Sequence, residues 1–440
     1  MVSYLPWRIA KMFLTLKLKI SPNEEAQRKL WEVSNRCTEL WNACLEQRKD
    51  RKSWGKTNVF SQKKELPELK KQCPEFKVPS SQVLQNVVFD LEAAYTMFFT
   101  KRKQGDEKVG QPRFKSRFHF YTAEYPQPKS SFSIENGLLK LAYGKGPKDW
   151  IEIPLRLPSR VLLGCVKTVK LGYDEISKYW FVCLSHSVQE AQSREAGHVA
   201  LFDPGCKTAL TGIKTDGSFW DYDLSPLRSL NMSTYKLIDE LRSRLDLMKR
   251  KFSTASRRLR KRIKKLFRKI GTRSKVYLHT LANQILKDHS DVKEFKIGDW
   301  DKRQTLADTG HTFVNRKINR AVQNNNPLQK LIEILKYKAH RLGQNVAKVD
   351  ERGTTRTCSR CDNKLKEGLS PSVRNFKCPK CAFEFPRDHQ SCLNLLKRYE
   401  SAQWLRLPEI YSGRSRRVSL GPFSCKLQES WNDLPRIFAS

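Results

Sequence analysis

The chain has 440 residues and carries 84 Lys and Arg against 45 Asp and Glu, which gives a formal charge of +39. A chain of this length is expected to form two to four domains, each with its own core. So large an excess of positive charge repels itself unless a polyanion neutralises it; DNA or RNA is therefore the expected partner, and an anionic membrane surface is the weaker alternative.

Other classes of protein are disfavoured by the same composition. No apolar run reaches the roughly 18 residues that span a bilayer, and Arg8, Lys11, Lys17 and Lys19 interrupt the first 20 residues, so we expect neither a membrane span nor a signal peptide. The 12 cysteines are too unevenly spaced for a secreted disulfide scaffold. The cytosol, or wherever the nucleic acid lies, is the expected compartment.

The N-terminal half begins with a strand and two helices. Residues 13–20 alternate apolar and polar side chains, as a half-buried strand does. Ser21-Pro22-Asn23-Glu24 predicts a helix with Ser21 as N-cap, followed by a second helix from about Ser80 to Lys103. A basic loop then ends in Gly110-Gln111-Pro112-Arg113-Phe114-Lys115, where Arg113 and Lys115 are candidates for nucleic-acid binding.

Beyond this loop the hydrophobic period changes to two. Short strands are predicted at 131–134, 138–142, 150–155, 166–173 and 179–186. Together with the strand at 13–20 they predict a small β-barrel that the helical segment interrupts.

A further region begins near residue 197 and mixes strands with helices. Strands are expected at 198–202, 207–214, 218–223, 292–300 and 345–350, and helices over 229–288, 319–342 and 388–399. The order of these elements is β-β-β-α-β-α-β-α. The chain after residue 400 shows no clear period and is expected to be a basic, flexible arm.

One helical stretch is unusually basic. Between residues 257 and 268 an apolar stripe persists, so the stretch predicts an amphipathic helix whose charged face follows a phosphate backbone, with an ordinary solvated face as the alternative. The cations proposed for this role are Arg257, Arg258, Arg260, Lys261, Lys264 and Arg268.

Four cysteines have the spacing of a structural zinc site. Cys358, Cys361, Cys378 and Cys381 form the pattern C-x2-C-x16-C-x2-C. Two pairs of thiolates can complete a tetrahedron about 2.3 Å from one zinc ion, and four protein ligands leave no position open for chemistry. A redox C-x-x-C is the alternative, but it does not need two copies.

Carboxylates in a very basic protein are the candidates for catalysis. The chain lacks a P-loop and any local signature of a nucleophilic triad. Asp203 closes the strand at 198–202, Glu351 follows the strand at 345–350, and Asp388 opens the last helix. Three such acids could hold two Mg²⁺ about 3.5–4 Å apart for phosphodiester hydrolysis. Taken singly, each acid could equally be a turn residue, a surface charge or a helix cap.

The motifs together resemble a known family. DPGCKTALTG at 203–212, TTRTCSRC at 354–361, FKCPKC at 376–381 and PRDHQSCLNLL at 386–396 resemble the TnpB family of transposon-encoded RNA-guided DNA nucleases, which are related to compact type V CRISPR effectors. The resemblance spans about residues 10–400.

The resemblance implies an Asp-Glu-Asp triad in a RuvC-like, RNase H-type domain. Asp203 and Asp388 match the first and third acids. Most members place the Glu in an I-E-D-L sequence, where this chain has Ile297-Gly298-Asp299-Trp300. A subset of the family, with the eukaryotic Fanzor proteins, supplies the Glu from the strand before the zinc module, and Glu351 matches that position. Asp299 and Asp350 remain alternatives for the second acid.

The resemblance also implies an α+β multidomain organisation. A β-barrel wedge domain is expected at 1–20 and 104–196, a helical recognition insert at 21–103, a RuvC-like nuclease domain at 197–354 and 385–400, a zinc-finger module at 355–384, and the tail at 401–440. The implied partners are a guide RNA and double-stranded target DNA, the implied cofactors are Mg²⁺ for cleavage and Zn²⁺ for structure, and the implied setting is the prokaryotic cytoplasm.

Three functions are compatible with these features. The first is a TnpB-type RNA-guided DNA endonuclease, or a type V CRISPR effector of similar architecture. The second is an RNA-guided DNA-binding protein that does not cut and acts as a repressor or recruitment factor. The third is a DNA-strand transferase, for which the sequence offers no separate nucleophile.

Overall fold

The computed structural model describes residues 11–50, 57–144, 149–157, 164–189, 191–205, 208–248, 253–299, 327–366, 369, 373–400 and 416–418. The chain divides after Gln189 into two compact units. In order, the strands are β1 Lys11–Ile20, β2 Ala123–Tyr125, β3 Phe132–Glu135, β4 Leu138–Ala142, β5 Trp150–Pro154, β6 Val166–Asp174, β7 Tyr179–Gln189, β8 His198–Pro204, β9 Leu210–Lys214, β10 Phe219–Tyr222, β11 Val292–Gly298, β12 Asn345–Val349, β13 Asn375–Lys377, β14 Glu384–Pro386 and β15 Arg416–Val418. The helices are α1 Glu24–Lys49, α2 Val59–Gln72, α3 Ser81–Lys103, α4 Ser225–Asp246, α5 Thr254–Asp288, α6 Leu328–His340 and α7 Arg387–Tyr399, with a short 3₁₀ turn at Pro74–Lys77.

The first unit packs three helices with two antiparallel sheets. One sheet has the order β1-β7-β6-β2 and the other β3-β4-β5. Apolar side chains from α1, α3 and both sheets join in one core, in which Leu30, Leu84, Leu139 and Leu184 are fully buried. The strands predicted on either side of the helical segment are therefore confirmed, whereas a closed wedge barrel stays a prediction.

The first helix begins later than its sequence suggests. Asn23, not Ser21, is the N-cap, because its side chain accepts a hydrogen bond of 2.8 Å from the Ala26 N–H. Asn is as good an N-cap as Ser, so the sequence rule could not choose between them. Helix α2 was not predicted, since Pro67 lies inside it and its apolar stripe is short.

The second unit is built on a six-stranded mixed sheet with the order β12-β11-β8-β9-β10-β15. Strands β8, β9 and β10 are antiparallel neighbours, and β11 and β12 run parallel to β8 on its other side. The edge strand β15 pairs parallel with β10, so these three residues of the predicted arm belong to the sheet. The rest of the arm lies outside the described residues.

Both faces of this sheet are covered, which explains the unbroken apolar run at its centre. In β8, Ala200 and Phe202 pack in the core shared with α5 and α6, while Val199 and Leu201 pack on the opposite face against α7. A central strand covered on both faces needs apolar residues on each side.

The predicted helical stretch over 229–288 is two helices. Helix α4 ends at Asp246 and α5 begins at Thr254, capped by the Ser253 side chain. The two helices share a small core of their own that includes Ile238, Leu241, Ile263 and Ile270. The helix predicted at 319–342 is described only from Leu328, and its earlier residues lie outside the described part.

Candidate functional site

The four cysteines form two knuckles with the same backbone geometry. In the first, the Asp362 N–H donates to the Cys358 carbonyl at 3.0 Å, and in the second, the Ala382 N–H donates to the Cys378 carbonyl at 3.0 Å. Asp362 and Ala382 both have positive φ, 56° and 55°. Non-glycine residues rarely adopt this region, so each turn must be stabilised by its surroundings. Binding of one metal ion by the four cysteines would stabilise both turns.

The sulfur positions fit a tetrahedral ion. All four Sγ atoms lie within 4.8 Å of one another. The Cys358 and Cys381 sulfurs are 3.7 Å apart and the Cys361 and Cys378 sulfurs 3.5 Å apart. Thiolates about 2.3 Å from one zinc ion stand about 3.8 Å from each other, so the cluster has the size that zinc requires.

The knuckles also favour thiolate at one position. Burial raises the pKa of the Cys378 thiol, but the N–H groups of Cys381 and Lys380 and the thiols of Cys361 and Cys381 together lower it, and the pKa falls to about 6. Zinc binds the thiolate, so this knuckle is prepared for a metal cation.

Helix α7 is fastened to the first knuckle by buried polar side chains. Asn394 donates to the carbonyls of Thr354 and Thr357 at 2.7 Å each. Gln390 donates to the Thr357 carbonyl at 2.7 Å and accepts from the Ser359 hydroxyl at 2.7 Å. These bonds hold the start of α7 and the segment before the knuckle at a fixed distance.

Three of the predicted acids lie at one edge of the six-stranded sheet. Asp203 is near the end of β8, and Glu351 follows the end of β12, which runs in the same direction. Asp388 is the second residue of α7, and its charge acts on Asp203. The structure therefore brings Asp203, Glu351 and Asp388 together.

Gly298 explains how Glu351 reaches this edge. Gly298 ends β11 and pairs with Val349. A Cβ at position 298 would lie 2.0 Å from Glu351 Oε2 and 3.1 Å from Glu351 Cδ. The Glu351 carboxyl thus occupies the space that a side chain at position 298 would need.

A tight turn aims Glu351 inward. The Thr354 N–H donates to the Glu351 carbonyl at 3.2 Å, and Gly353 adopts a φ of 80° inside this turn. A left-handed residue at the third position of a turn is readily supplied by glycine. The Gly353-Thr354 pair, which follows Glu351 and Arg352 in the sequence, is therefore part of the site's geometry.

The carboxyls are crowded and poorly solvated. Burial raises the pKa of Asp203 well above its usual value, and the charges of Glu351 and Asp388 raise it further. Burial also raises the pKa of Glu351 to about 7, with contributions from Asp299 and Asp350. Among the described residues, the buried Oε2 of Glu351 has no hydrogen-bond partner.

The alternative second acids point elsewhere. Asp299 is exposed and its Oδ1 lies 2.7 Å from the Lys348 ammonium. Asp350 has a side chain that is 62% exposed and lies beside Arg352. A pocket opens between Gly298, Pro204 and Asp299 on one side and α6 on the other.

Sequence reasoning missed the groups that orient these acids. The Ser391 hydroxyl hydrogen-bonds the Asp203 carboxyl, and its oxygen lies 2.7 Å from Thr354 Oγ1. Arg374, on the segment before β13, approaches Asp388 with Nη1 3.8 Å from Oδ2. The signal was present: the polar residues at 390, 391 and 394 lie among the apolar residues at 392, 393, 395 and 396, and buried polar side chains rarely lack partners.

The predicted nucleic-acid contacts lie in both units. On α5, Arg257, Arg258, Lys261, Lys264 and Arg268 are exposed and Arg260 is partly covered. In the first unit the Arg113 side chain is exposed, whereas the Lys115 ammonium lies over the rings of Trp41 and Tyr121, 3.5 and 4.0 Å from their centroids.

A second group of metal-type ligands is an ion-pair cluster. His198, Asp216 and Asp291 have ligand atoms within 4.8 Å of one another. The Lys214 ammonium lies 2.8 Å from carboxylate oxygens of both aspartates. A cation of the chain itself already compensates these charges.

None of the helices in the described ranges is both long and apolar enough to cross a membrane.

Known proteins resemble both the sequence and the fold. The family model "Cas12f1-like, TNB domain" matches residues 329–395. "Putative transposase R186" of Acanthamoeba polyphaga mimivirus is 32% identical over 207 residues, which cover 46% of this chain and 41% of that protein, so the match spans less than half of this relative. "Putative RNA-guided DNA endonuclease InsQ" of Escherichia coli (strain K12) is 26% identical over 323 residues, covering 72% of this chain and 74% of that protein.

A solved structure has a similar fold. The cryo-EM structure of a Cas12f1–sgRNA–target DNA complex matches with a TM-score of 0.59 at 13% identity, covering 88% of this chain and 98% of that one. The fold is therefore that of a mixed α+β protein of the Cas12f1 kind with a four-cysteine cluster. In sequence the chain is therefore similar to a Cas12f1-like TNB domain and to relatives named as a transposase and as an RNA-guided DNA endonuclease.

Proposed function

We propose that this chain is an RNA-guided DNA endonuclease of TnpB type, and that Asp203, Glu351 and Asp388 are its catalytic acids. The observation that supports this most strongly is the position of Glu351, whose carboxyl fills the space above Gly298. Gly298 is where most of the family has its Glu. Glu351 places a carboxylate in the same space from the neighbouring strand. An active nuclease requires a carboxylate there, whereas an inactive protein would have no need to retain it.

The topology of the second unit supports a RuvC-like nuclease domain. Three antiparallel strands, β8 to β10, are followed by β11 and β12 parallel to β8, with helices on both faces. Parallel strands end at the same edge, so acids after β8 and β12 converge there. Asp203 lies near the end of β8, and Asp388 in the first turn of α7 is close enough for its charge to act on Asp203.

The residue types at this site are those that bind Mg²⁺. Carboxylate oxygens are hard ligands that Mg²⁺ prefers. Crowded carboxyls with raised pKa values, one of which has an unpartnered buried oxygen, are costly without a cation nearby. Bound by Asp203, Glu351 and Asp388, two ions would activate water and stabilise the leaving oxygen of a phosphodiester.

The remaining groups of the chain position the acids and the phosphate. Ser391 orients the Asp203 carboxyl through its hydroxyl. Arg374 lies 3.8 Å from Asp388, from where its guanidinium can reach a phosphate brought to the acids. The bonds of Asn394 to Thr354 and Thr357 fix Glu351 relative to Asp388.

The four cysteines have a supporting role in this proposal. Zinc with four protein ligands keeps no open position, so it would serve the fold rather than the reaction. The module lies in the sequence between Glu351 and Asp388, and its first knuckle is bonded to α7. Loss of the metal would therefore disturb the spacing of the acids.

The charge of the chain supports nucleic-acid partners. A net charge of +39 and an exposed cationic face on α5 suit a guide RNA and the target DNA paired with it. Base pairing with the guide would then choose the sequence to be cut, while the protein reads backbone and a short adjacent motif.

The test is cleavage by the purified complex. The full chain is expressed with its flanking DNA, the copurifying RNA is sequenced, and DNA complementary to that RNA is offered with and without Mg²⁺. We expect cutting that needs both the matching RNA and Mg²⁺. Guide-dependent binding without any cut, in the parent and in Asp203→Asn alike, would instead identify a non-cleaving DNA-binding protein.

A further inference from the structure

The Phe118 side chain is exposed at the tip of a turn in the first unit. The His119 N–H donates to the Ser116 carbonyl at 3.1 Å, which closes a turn with Arg117 and Phe118 at its end. The Phe118 side chain is 90% exposed, the highest value among the large apolar side chains in the part of the chain that the structure describes. The turn lies in the loop between α3 and β2.

The neighbours of this ring are held in place. Arg117 Nη2 lies 3.1 Å from Glu39 Oε1, and His119 Nδ1 lies 2.7 Å from Glu175 Oε2. Both residues beside Phe118 are thus fastened to the body of the unit, and the ring between them projects away from it.

The loop backbone before the turn is fastened as well. The Asn42 side chain exchanges two hydrogen bonds with the main chain of Lys115, at 2.8 and 2.9 Å, and the Trp41 indole donates to the Arg113 carbonyl at 3.0 Å. The Lys115 ammonium adds a contact with the Trp41 ring. A rigid loop that presents one aromatic ring loses little entropy when that ring binds.

The loop that carries the turn is basic, although Glu39 and Glu175 pair with Arg117 and His119. Residues 108–121 include Lys108, Arg113, Lys115 and Arg117 and contain neither Asp nor Glu. Next to the turn, the Lys49 ammonium lies 4.7 Å from the centre of the Phe114 ring. Exposed aromatic rings among cations are the usual elements of a surface on which nucleobases stack.

We propose that Phe118 is a wedge that stacks on the first unpaired base of DNA at the point where its two strands separate. This inference rests on the proposed function, since guide pairing requires opened DNA. The sequence contains no P-loop for an ATP-driven motor, and the proposed opening draws on binding energy. Apolar side chains inserted at a base step are a known means of unstacking a duplex.

The first experiment needs no guide RNA. Affinities of the full chain for a forked DNA and for the same sequence fully paired are measured, with 2-aminopurine at the first unpaired position to report stacking. We expect Phe118→Leu to lower the preference for the fork about tenfold, as the loss of one stacked base does. Phe118→Trp should keep both the preference and the fluorescence change.

Matched controls separate stacking from general effects. Phe60 is 68% exposed on α2, and Phe60→Leu should leave the fork preference unchanged. The proposal is overturned if Phe118→Leu binds the fork like the parent, or if Phe118→Trp is as weak as Phe118→Leu. A loss confined to forked RNA would overturn the assignment to DNA.

The second experiment uses the guide-loaded complex. Phe118→Leu should slow cleavage of a paired target about tenfold, and a target with its first base pairs mismatched should restore the parent rate. Equal slowing on both targets contradicts a wedge. If the parent complex cuts no target at all, the proposed function fails, and the fork-binding result still decides the role of Phe118.

Discussion

Gly298 lies level with Val349 on the neighbouring strand, and a Cβ added to it would come within 2.0 Å of Glu351 Oε2. The nearest atom it would meet is the far end of a flexible side chain, so the Glu351 carboxyl can move aside without unfolding the sheet. The Pro204 ring would also have to shift slightly, because its Cδ would lie 2.9 Å from the added Cβ. A methyl group at this position should therefore act mainly by displacing the Glu351 carboxylate.

This residue gives the first prediction. Gly298→Ala should reduce cleavage at least about tenfold while shifting the melting temperature by only a few degrees. The control is Gly271→Ala on α5, where a Cβ would meet nothing within 4 Å. Cleavage rates at saturating guide and target, with melting curves for each variant, provide the measurement. Undiminished cutting by Gly298→Ala would show that Glu351 does not act from this position.

At the scale of single residues, some functional side chains could be predicted from the sequence and others could not. The cysteine spacing defines two knuckles locally, so Cys358 to Cys381 could be assigned without a fold. The resemblance favoured Glu351 as the second acid, but the residues alone left Asp350 and Asp299 open, because all three follow the ends of the neighbouring parallel strands β11 and β12 and differ in the direction of their side chains. Only strand register and the Gly353 turn decide which carboxyl faces the sheet edge.

Helix α7 shows how an element can connect two sites. Its apolar side packs on the sheet, and its buried polar residues bond the segment before the first knuckle. The N-terminal turn of the same helix contains Asp388. A helix held in this way transmits the geometry of the cysteine cluster to the acids.

Asn394 provides a test of this connection. Asn394→Ala leaves the carbonyls of Thr354 and Thr357 without their donor and should lower the free energy of unfolding by about 1–3 kcal/mol. Cleavage should fall further than the loss of stability explains. Lys397→Ala is the control, because its 3.1 Å contact with Asp362 is a surface ion pair worth less than about 1 kcal/mol. Equal effects of the two variants on cleavage would argue against the connection.

His289, which follows the end of α5, gives a prediction about acid. Its ring packs against Phe202, Trp220 and Phe295, and within the described residues neither ring nitrogen has a hydrogen-bond partner. Burial lowers the pKa of His289 to about 4, and Lys214 contributes. An unfolded histidine titrates near its usual pKa of about 6.5.

Between these two pKa values the unfolded chain binds more protons than the folded one. The stability of the second unit should therefore be complete above about pH 6.5 and decrease as the pH falls toward 4. At pH 5 the loss from His289 should be about 2 kcal/mol. Urea unfolding at pH 7 and pH 5 measures it, and His289→Phe should lack this part of the acid sensitivity. Identical pH dependence in the variant would contradict the assignment.

Helices and strands were predicted well where a periodic pattern continued over many residues, and poorly where the element was short. Strands β4, β6 and β11 and helices α3 and α7 follow their sequence patterns closely. The three-residue strands β2, β13, β14 and β15 were missed, because three residues show no period. For β2 and β15 the partner strand is also distant in sequence, whereas β13 and β14 pair with each other. Helix α2 was missed because it contains Pro67, and proline normally disfavours the interior of a helix.

On the scale of the whole molecule, the main features are the division of the chain into two units and the position of the basic tail. The chain divides after Gln189 into two compact units. The sequence places the end of the period-two region and the start of a new apolar strand near residue 196, and the domain boundary expected there stays a prediction. The sequence could not predict that part of the basic tail returns to pair with β10, since that pairing depends on the finished sheet edge.

The cationic face of α5 gives a prediction about salt. Replacing Arg257, Arg258, Lys261 and Lys264 together by Gln should weaken binding of the guide RNA and flatten its dependence on salt, by about 0.7–0.9 in log-log slope for each phosphate that the variant no longer neutralises. The same number of replacements at Lys63, Lys64, Lys70 and Lys71 on α2 serves as the control. Affinities between low and physiological salt measure the slope. An unchanged slope in the α5 variant would remove this face from the RNA-binding surface.

The most direct test compares Glu351 with the two alternatives for the second acid, Asp350 and Asp299. Glu351→Gln, Asp350→Asn and Asp299→Asn are each loaded with guide RNA, and target binding and cleavage are measured separately with Mg²⁺. We predict that Glu351→Gln binds the target like the parent and cuts it about a thousandfold more slowly, as expected when a ligand worth several kcal/mol in the transition state is removed. The other two variants should stay within a few fold of the parent. Cleavage by Glu351→Gln at the parent rate, with Asp299→Asn or Asp350→Asn inactive, would contradict the account.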